Sequence, residues 1–247
     1  MAVDPLFDLT GKVALVTGGS RGLGYQMVMA FAQRGADIII ASRKIEACET
    51  VAAEVRAIGR RALPLAAHVG KWAECDALIE AAYAEFGRID ILVNNAGMSP
   101  AAAPHDVSES LFDSVLNLNF KGPYRLATQV GQRMAQGEGG CIINISSSGS
   151  LRPLPQAAPY GAAKAALNAM SESLARAYGP KVRVNVISAG PFLTDIANAW
   201  TEDARQRQPN ALGRAGQPNE IVTAALMLAS PASSFTTGAL IRVDGGH

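Results

Sequence analysis

The stretch Val13-Ala-Leu-Val-Thr-Gly-Gly-Ser-Arg-Gly-Leu-Gly24 combines a short apolar run, a glycine-rich turn and the start of an amphipathic segment. Glycine is needed where a backbone turns sharply or approaches a phosphate closely, and Gly18, Gly22 and Gly24 supply it here. A helix that starts directly after such a turn offers unpaired N–H groups and a favourable dipole to an anion. The stretch therefore predicts a dinucleotide-binding strand–turn–helix unit; a tight strand–helix connection without a ligand is the alternative.

Strand-like and helix-like segments alternate along the rest of the chain. The predicted strands are Val13–Thr17, Asp37–Ser42, Ala62–Val69, Ile89–Asn94, Cys141–Ser146, Val182–Ser188 and Leu240–Asp244. The predicted helices are Gly24–Arg34, Ile45–Ile58, Trp72–Phe86, Ser110–Met134, Ala162–Tyr178 and Asn219–Leu228. Apolar strands that are each followed by a helix are typical of a parallel sheet buried on both faces. We predict a single α/β domain over residues 1–247, a doubly wound parallel sheet (Rossmann fold) of about seven strands.

The longest stretch without clear periodicity runs from Pro191 to about Gln217. Long irregular segments are uncommon in compact domains and are usually functional or disordered. We favour a substrate lid over residues 191–217, and surface disorder is the alternative.

The composition excludes several classes of protein. The chain has 247 residues, of which 49% are hydrophobic and 17% are charged, and its formal net charge is +1. Such a chain builds a large core and lacks a broad basic surface, so we expect no nucleic-acid and no membrane partner. The three isolated cysteines predict neither disulfides nor a metal site. Because the start of the chain does not resemble a signal peptide, we expect a cytoplasmic protein.

The second predicted strand ends in Ser42-Arg43, with no carboxylate, and Arg21 adds a cation inside the glycine turn. A carboxylate at this strand end would accept a hydrogen bond from a ribose 2′-hydroxyl, whereas guanidinium groups suit a 2′-phosphate. The sequence therefore favours NADP(H) over NAD(H). Ordinary surface charges are the alternative interpretation of both arginines.

Tyr160 has a lysine four residues further on, Lys164. On a helix this spacing places both side chains on one face. A free tyrosine holds its proton too tightly to act as a base at neutral pH, and a nearby ammonium lowers the pKa of the phenol. The pair predicts a proton-transfer group, although a surface tyrosine beside a surface lysine would have the same spacing.

A serine cluster lies thirteen residues upstream of that tyrosine, where the apolar strand Cys141-Ile-Ile-Asn-Ile145 ends. Ligands of open α/β sheets bind beyond the carboxyl ends of the strands. A hydroxyl there, such as that of Ser147, can donate to a carbonyl oxygen on which negative charge develops. An ordinary polar strand end is the alternative.

Taken together, these residues resemble the classical short-chain dehydrogenase/reductases over essentially the whole chain. The resemblance rests on Thr17-Gly-x-x-x-Gly-x-Gly24, Asn94-Asn-Ala-Gly97, Asn119, Ser147, Tyr160-x-x-x-Lys164 and Asp244-Gly-Gly246. It implies that Tyr160 is the acid/base, that Lys164 lowers its pKa and binds the nicotinamide ribose, and that Ser147 orients the substrate oxygen. It also implies that Asn119 holds a water molecule that links Lys164 to solvent.

The resemblance also implies two sets of binding residues. The cofactor set is Gly18, Ser20, Arg21, Gly22, Leu23, Gly24, Ser42, Arg43, His68, Val69, Asn95, Ala96, Gly97, Ile145, Tyr160, Lys164, Gly190, Phe192 and Thr194. The substrate set is Ser147, Leu154, Tyr160 and Trp200. The expected pocket wall is mostly apolar and comprises Ser99, Leu151, Pro153, Leu154, Phe192 and Trp200, which fits a medium-sized ketone.

This chain departs from the family pattern at two places. Ala189-Gly190-Pro191 follows the sixth strand where Pro-Gly is common, which predicts a looser or shifted turn. His68-Val69 stands where an aspartate often contacts adenine, so only the Val69 backbone, with His68 as a neighbour, is expected to serve the base.

The expected activity is hydride transfer between the nicotinamide and a ketone or secondary alcohol. The four-residue step from Tyr160 to Lys164 favours C=O over C=C reduction, because the enoyl-reductase branch places more residues between them. The alternative is a non-catalytic dinucleotide-binding regulatory protein. The framework is similar to 3-oxoacyl-thioester reductases and to gluconate 5-dehydrogenases, and the resemblance implies a homotetramer built through the long helices and the C-terminal strand.

Overall fold

The computed structural model describes residues 4–195, 197 and 200–247 and contains a seven-stranded, all-parallel sheet. The strands are β1 (Val13–Thr17), β2 (Asp37–Ser42), β3 (Ala62–Ala66), β4 (Ile91–Asn94), β5 (Gly140–Ser147), β6 (Val182–Ala189) and β7 (Leu240–Val243). They lie in the order β3-β2-β1-β4-β5-β6-β7. This is the predicted doubly wound α/β fold, and the prediction of the fold class is confirmed.

Helices cover both faces of the sheet. They are α1 (Gly22–Gln33), α2 (Ile45–Ala57), α3 (Trp72–Phe86), α4 (Glu109–Leu116), α5 (Gly122–Gln136), α6 (Ala158–Tyr178), α7 (Glu202–Gln206) and α8 (Val222–Ala229). Helices α1, α2 and α8 enclose one apolar core, and α3, α5 and α6 enclose the other. Because side chains alternate along a strand, Ala14 and Val16 of β1 enter the first core while Val13 and Leu15 enter the second.

Strand β1 pairs with β2 on one side and with β4 on the other. The chain crosses to opposite faces of the sheet on the two sides of β1, so the connections diverge there and leave a crevice at the carboxyl ends of β1 and β4. The glycine turn and the Asn95–Gly97 segment both lie at this crevice.

The predicted helix Ser110–Met134 is divided in the structure. A single turn of π-helix, Asn117–Lys121, separates α4 from α5, and the Gly122 N–H donates to the Asn117 carbonyl. Pro123 follows directly and has no N–H to donate to the preceding turn, which disfavours a regular α-helical register there. The π turn contains Asn119, one of the predicted catalytic residues.

Other boundaries also differ from the predictions. Helix α6 starts at Ala158 rather than Ala162. Pro159 is accommodated in its first turn because the N–H that proline lacks has no helical acceptor there. Strand β3 ends at Ala66 rather than Val69, and β4 begins at Ile91 rather than Ile89.

The predicted lid, residues 191–217, contains more structure than its lack of periodicity indicated; positions 196, 198 and 199 lie outside the described residues. Its two ends are joined by a parallel bridge between Phe192 and Gly216. The short helix α7 lies within it, and its first turn is capped by the Thr201 hydroxyl, which accepts from the Ala204 N–H at 3.2 Å. A five-residue helix is too short to produce a clear period in the sequence.

Within the described part of the chain, no helix combines the length and apolarity needed to cross a bilayer. The same residues contain no group of three or more His, Cys, Asp or Glu side chains that could hold a metal ion.

Replacing Leu15 by Ala should lower the free energy of unfolding by about 3–5 kcal/mol, because a cavity forms where the side chain is now fully buried. Urea denaturation followed by circular dichroism at fixed protein concentration measures the change. Leu6→Ala is the matched control, since that side chain is 59% exposed and should change stability by less than about 0.5 kcal/mol. Equal losses in both variants would contradict the described burial of β1.

Candidate active site

The glycine turn between β1 and α1 leaves room for an anion. Gly22 has a φ of +55°, and a Cβ built on it would meet only Thr194, at 3.4 Å or beyond. A Cβ on Gly24 would lie 2.2 Å from the Gly18 carbonyl oxygen, so only glycine permits this close packing. Arg21 is the N-cap of α1 and makes no side-chain capping bond. The first turn of α1 therefore lacks a side-chain cap, which suits a helix start that binds an anion.

Thr17, to which the sequence analysis gave no role, fastens the turn after β4 to the end of β1. Its hydroxyl oxygen accepts from the N–H groups of Asn95 (3.0 Å) and Ala96 (3.1 Å). The Asn95 side-chain amide donates back to the Thr17 carbonyl at 2.9 Å and to the Gly18 carbonyl at 3.2 Å. These bonds hold the predicted cofactor segment Asn95–Gly97 beside the glycine turn. The hydroxyl at the end of an otherwise apolar strand was the available signal.

The predicted ribose edge of the cleft is polar. The Ser20 hydroxyl donates to the Ser42 hydroxyl at 3.0 Å, which joins the glycine turn to the end of β2. Arg43 is exposed. Arg21 pairs with Asp195 of the predicted lid at 2.7 Å. The sequence analysis did not single out Asp195, which lies more than 170 positions from its partner.

At the end of β3, the Gly70 N–H donates to His68 Nδ1 at 3.2 Å, and the His68 N–H donates to the Glu74 carboxylate at 2.6 Å. Val69 is buried, and its carbonyl accepts from the Cys75 thiol at 3.2 Å. The predicted adenine neighbours thus lie in a short turn held by α3, and no described contact joins them to the glycine turn.

Tyr160 and Lys164 lie one turn apart on α6, and the Lys164 ammonium is 5.8 Å from the centre of the Tyr160 ring. The Lys164 residue is only 3% exposed, and its ammonium donates to the Ile145 carbonyl at 2.8 Å. Burial of the charged form lowers the pKa of Lys164 to about 8. The sequence therefore predicted the juxtaposition correctly.

The pKa of Tyr160 is raised from its ordinary value, whereas the spacing alone predicted that Lys164 would lower it. Desolvation of the phenol raises the pKa of Tyr160, and the hydrogen bond with the Ser147 side chain lowers it by less. The Lys164 ammonium is directed to the Ile145 carbonyl instead of the phenol. Spacing along a helix cannot reveal this competing main-chain acceptor.

Ser147 is the last residue of β5, and its position is set by a short polar chain. Its hydroxyl oxygen accepts from the Gly149 N–H at 3.1 Å. The Ser150 hydroxyl donates to the Ser147 carbonyl at 2.7 Å, and the Asn168 amide donates to the Ser150 hydroxyl at 2.9 Å. Ser150 and Asn168 are positioning residues that the sequence analysis missed, because their contact joins a loop to a helix.

Asn119 is fully buried in the π turn. Its amide donates to the carbonyls of Met98 and Val115, both at 2.9 Å, and its oxygen accepts from the Met98 N–H at 3.3 Å. A Cβ on Gly97 would lie 2.8 Å from the Asn119 oxygen and 3.6 Å from the Lys164 ammonium. Gly97 therefore allows Asn119 and Lys164 to approach the same point from two sides.

The three predicted cofactor residues after β6 have different surroundings. Gly190 packs against Asp244, where a Cβ would lie 2.5 Å from the Asp244 Cα. Thr194 faces the glycine turn. The ring of Phe192 is largely buried and packs against Gly216. The parallel bridge to Gly216 draws the ring inward.

Two predicted substrate residues remain at the periphery. Leu154 is 52% exposed just before α6, and Trp200 is partly exposed in the predicted lid. No hydrogen bond or ring contact among the described residues joins either one to Ser147 or Tyr160.

The residues present fit a nicotinamide dinucleotide. An uncapped helix start lies above a glycine cradle, a polar edge with an arginine closes one end, and Ser147, Tyr160 and Lys164 close the other. A family model described as enoyl-(acyl carrier protein) reductase matches residues 18–247. This chain belongs to the short-chain dehydrogenase/reductase family. The family consists of dinucleotide-binding oxidoreductases, and the resemblance read from the sequence is confirmed.

Relatives of known activity match over nearly their full lengths. The chain is 38% identical to the 2-dehydro-3-deoxy-D-gluconate 5-dehydrogenase of Escherichia coli, covering 97% of this chain and 96% of the relative. It is 37% identical to the 3-oxoacyl-[acyl-carrier-protein] reductase of Chlamydia trachomatis, covering 96% and 98%. The first is a dehydrogenase of a sugar acid and the second is an oxoacyl reductase, and the sequence was expected to be similar to enzymes of these two kinds.

Solved structures of the family superpose closely. A 7α-hydroxysteroid dehydrogenase in complex with NADH and 7-oxo glycochenodeoxycholic acid has a TM-score of 0.94 at 32% identity, covering 100% of this chain and 98% of the other. A blue fluorescent protein from a metagenomic library, in complex with NADPH, has a TM-score of 0.91 at 33% identity, covering 97% and 98%. One neighbour binds NADH and the other NADPH, so these neighbours do not decide the cofactor preference.

The buried ammonium generates a prediction about stability and pH. Because the pKa of Lys164 is lowered to about 8 on folding, the unfolded chain binds more protons between about pH 8 and 10.5. The contribution of Lys164 to stability therefore increases as the pH rises through this window. Relative to Lys164→Met, the wild-type free energy of unfolding should increase over that range, as measured by urea denaturation of both proteins.

Lys181→Met removes an exposed lysine instead and controls for the loss of one charge. A difference between wild type and Lys164→Met that is constant with pH would contradict the described burial.

Proposed function

We propose that this chain is an NADP(H)-dependent oxidoreductase that transfers a hydride between the nicotinamide and the carbon of a ketone or secondary alcohol, with Tyr160 as the acid/base. The observation that carries the proposal is the interaction of the Tyr160 phenol with the Ser147 hydroxyl beside the buried Lys164 ammonium. The bound nicotinamide supplies or accepts the hydride. Side chains of this protein orient the substrate and transfer the proton.

In reduction, Ser147 donates a hydrogen bond to the carbonyl oxygen while Tyr160 gives its proton to the forming alkoxide. The Ser147 hydroxyl oxygen accepts from the Gly149 N–H, and its own proton can be donated to the substrate oxygen. Because desolvation raises the pKa of Tyr160, the phenol keeps its proton at neutral pH and is ready to donate it. In oxidation the same groups act in reverse, and the phenolate then requires the positive charge of Lys164.

A carbonyl or alcohol substrate is supported by two observations. Tyr160 and Lys164 are one helical turn apart, the spacing that favours C=O over C=C reduction. The relatives named above are a 2-dehydro-3-deoxy-D-gluconate 5-dehydrogenase, a 3-oxoacyl-[acyl-carrier-protein] reductase and a 7α-hydroxysteroid dehydrogenase. The matching family model is described as an enoyl reductase, but the four-residue step from Tyr160 to Lys164 favours a C=O substrate. We do not propose the non-catalytic regulatory function, since all the side chains needed for catalysis are present.

The NADP(H) preference rests on charge at the ribose edge. Arg43 is exposed at the end of β2, no carboxylate follows that strand directly, and Ser20 and Ser42 supply hydroxyl groups nearby. A guanidinium group binds a phosphate through paired, charge-assisted hydrogen bonds. We therefore place the 2′-phosphate beside Arg43.

The proposal includes a homotetramer in the cytoplasm. Large apolar side chains are exposed on the helices predicted to form an interface, namely Phe112 on α4 and Tyr124 on α5, and Phe235 is fully exposed before β7. Exposed apolar residues of this size on neighbouring elements are typical of subunit contacts. The three cysteines are free and buried, which suits a reducing compartment.

Tyr160→Phe tests the catalytic assignment. The variant should lose about 10²–10⁴-fold in kcat, because the proton donor is gone, while its Kd for NADPH changes less than about twofold. Turnover is followed by NADPH absorbance with a panel of ketones, and binding by fluorescence. Tyr178→Phe, on the same helix, is the matched control, since its hydroxyl donates to the Thr128 carbonyl far from the site. Wild-type turnover in Tyr160→Phe would refute the role.

Arg43→Ala tests the cofactor preference. Loss of a charge-assisted contact should weaken NADPH binding by roughly tenfold or more and leave NADH binding nearly unchanged. Titration calorimetry with both dinucleotides measures the two affinities, and Arg176→Ala, a cation at the far end of α6, controls for net charge. If NADPH and NADH affinities fell by the same factor, the preference would not originate at Arg43.

A further inference from the structure

An ion pair crosses the mouth of the proposed dinucleotide cleft. The Arg21 guanidinium in the glycine turn lies 2.7 Å from the carboxylate of Asp195, near the start of the predicted lid. Both side chains are more than half exposed, at 68% and 57%. A pair so open to water adds little to folding stability. The pair therefore affects what Arg21 can bind more than it affects the stability of the fold.

The backbones around the pair are close as well. The residue before Asp195, Thr194, is the nearest group to the open side of Gly22, at 3.4 Å from a Cβ built there. The Thr194 N–H donates to the Phe192 carbonyl at 2.8 Å, and Phe192 is anchored to Gly216 by the parallel bridge. The position of Asp195 over the glycine turn is thus set by the backbone held at the Phe192–Gly216 bridge, and not only by the ion pair itself.

The two arginines that face the proposed 2′-phosphate differ in their surroundings. Arg21 adjoins Ser20, whose hydroxyl bonds to Ser42, and Arg43 adjoins Ser42. Within the described ranges, Arg43 forms no ion pair, whereas Arg21 is paired with Asp195. One of the two cations is therefore already partly neutralised by a carboxylate of the same chain.

A carboxylate in this position acts differently on the two dinucleotides. NADP(H) carries a phosphate monoester with a charge of about −1.5 to −2 where NAD(H) carries a neutral hydroxyl. Asp195 both repels that phosphate and competes for the guanidinium that would bind it. The neutral ribose hydroxyl of NAD(H) experiences neither effect.

We propose that Asp195 is a specificity-determining residue that competes with the 2′-phosphate for Arg21 and so limits the preference for NADP(H) over NAD(H). The proposal rests on the proposed function, because it needs a dinucleotide in this cleft. The cofactor preference then depends on two arginines, of which Arg21 is paired with a carboxylate and Arg43 forms no ion pair among the described residues.

Asp195→Asn is the direct test, because it removes the charge and keeps the shape. The Kd for NADPH should fall by roughly 1.5- to 5-fold, the range expected for an exposed ion pair, and the Kd for NADH should fall by a smaller factor. Both are measured by titration calorimetry without substrate. The gain should shrink at high salt, where exposed charges are screened. Asp203→Asn in α7 removes one exposed charge from the same segment and should leave the NADPH/NADH ratio unchanged.

A double-mutant cycle tests whether the effect passes through Arg21. In an Arg21→Ala background, Asp195→Asn should improve NADPH binding by a smaller factor than it does in the wild type. If Asp195→Asn changes both dinucleotides by the same factor, Asp195 only holds the predicted lid and the proposal fails. An undiminished gain without Arg21 also overturns it. Failure of the wild-type chain to bind either dinucleotide would overturn the proposed function together with this inference.

Discussion

The buried ammonium of Lys164 donates a hydrogen bond to a main-chain oxygen, that of Ile145, and the arrangement of the site depends on this hydrogen bond. A charge buried in this way is costly unless a polar partner compensates it. The bond ties α6 to the carboxyl end of β5 at the point where the strand passes into Ser147. Because Tyr160 is one turn away on the same helix, the bond also fixes the phenol relative to the serine.

Burial at this site shifts the pKa values of both titratable groups. Desolvation makes the lysine easier to deprotonate and the tyrosine harder to deprotonate. The raised pKa keeps the proton on the Tyr160 phenol at neutral pH. Hydroxyl groups of a bound ribose would offer the ammonium further acceptors, which would support its charged form.

The other end of the cleft is organised by contacts between distant segments. Thr17 and Asn95 lock the turns after β1 and β4 together, and Arg21 and Asp195 join the glycine turn to the segment after β6. The first pair is largely buried and rigid, whereas the second is exposed and easily exchanged for another ion. Under the proposed function, phosphate recognition would therefore combine a fixed part and an adjustable part.

Local patterns in the sequence determined the strand and helix order, the glycine turn, and the pairing of Tyr160 with Lys164, because each depends on neighbours within a few residues. They could not determine the π turn around Asn119, the burial of Phe192 or the raised pKa of Tyr160, since these depend on packing against Pro123, Gly216 and the core. Nor could they reveal the bonds from Ser150 and Asn168 that set Ser147, or the pairing of Arg21 with Asp195. Only the tertiary structure decides which carbonyl or carboxylate a side chain meets, because such partners come from segments far apart in the chain.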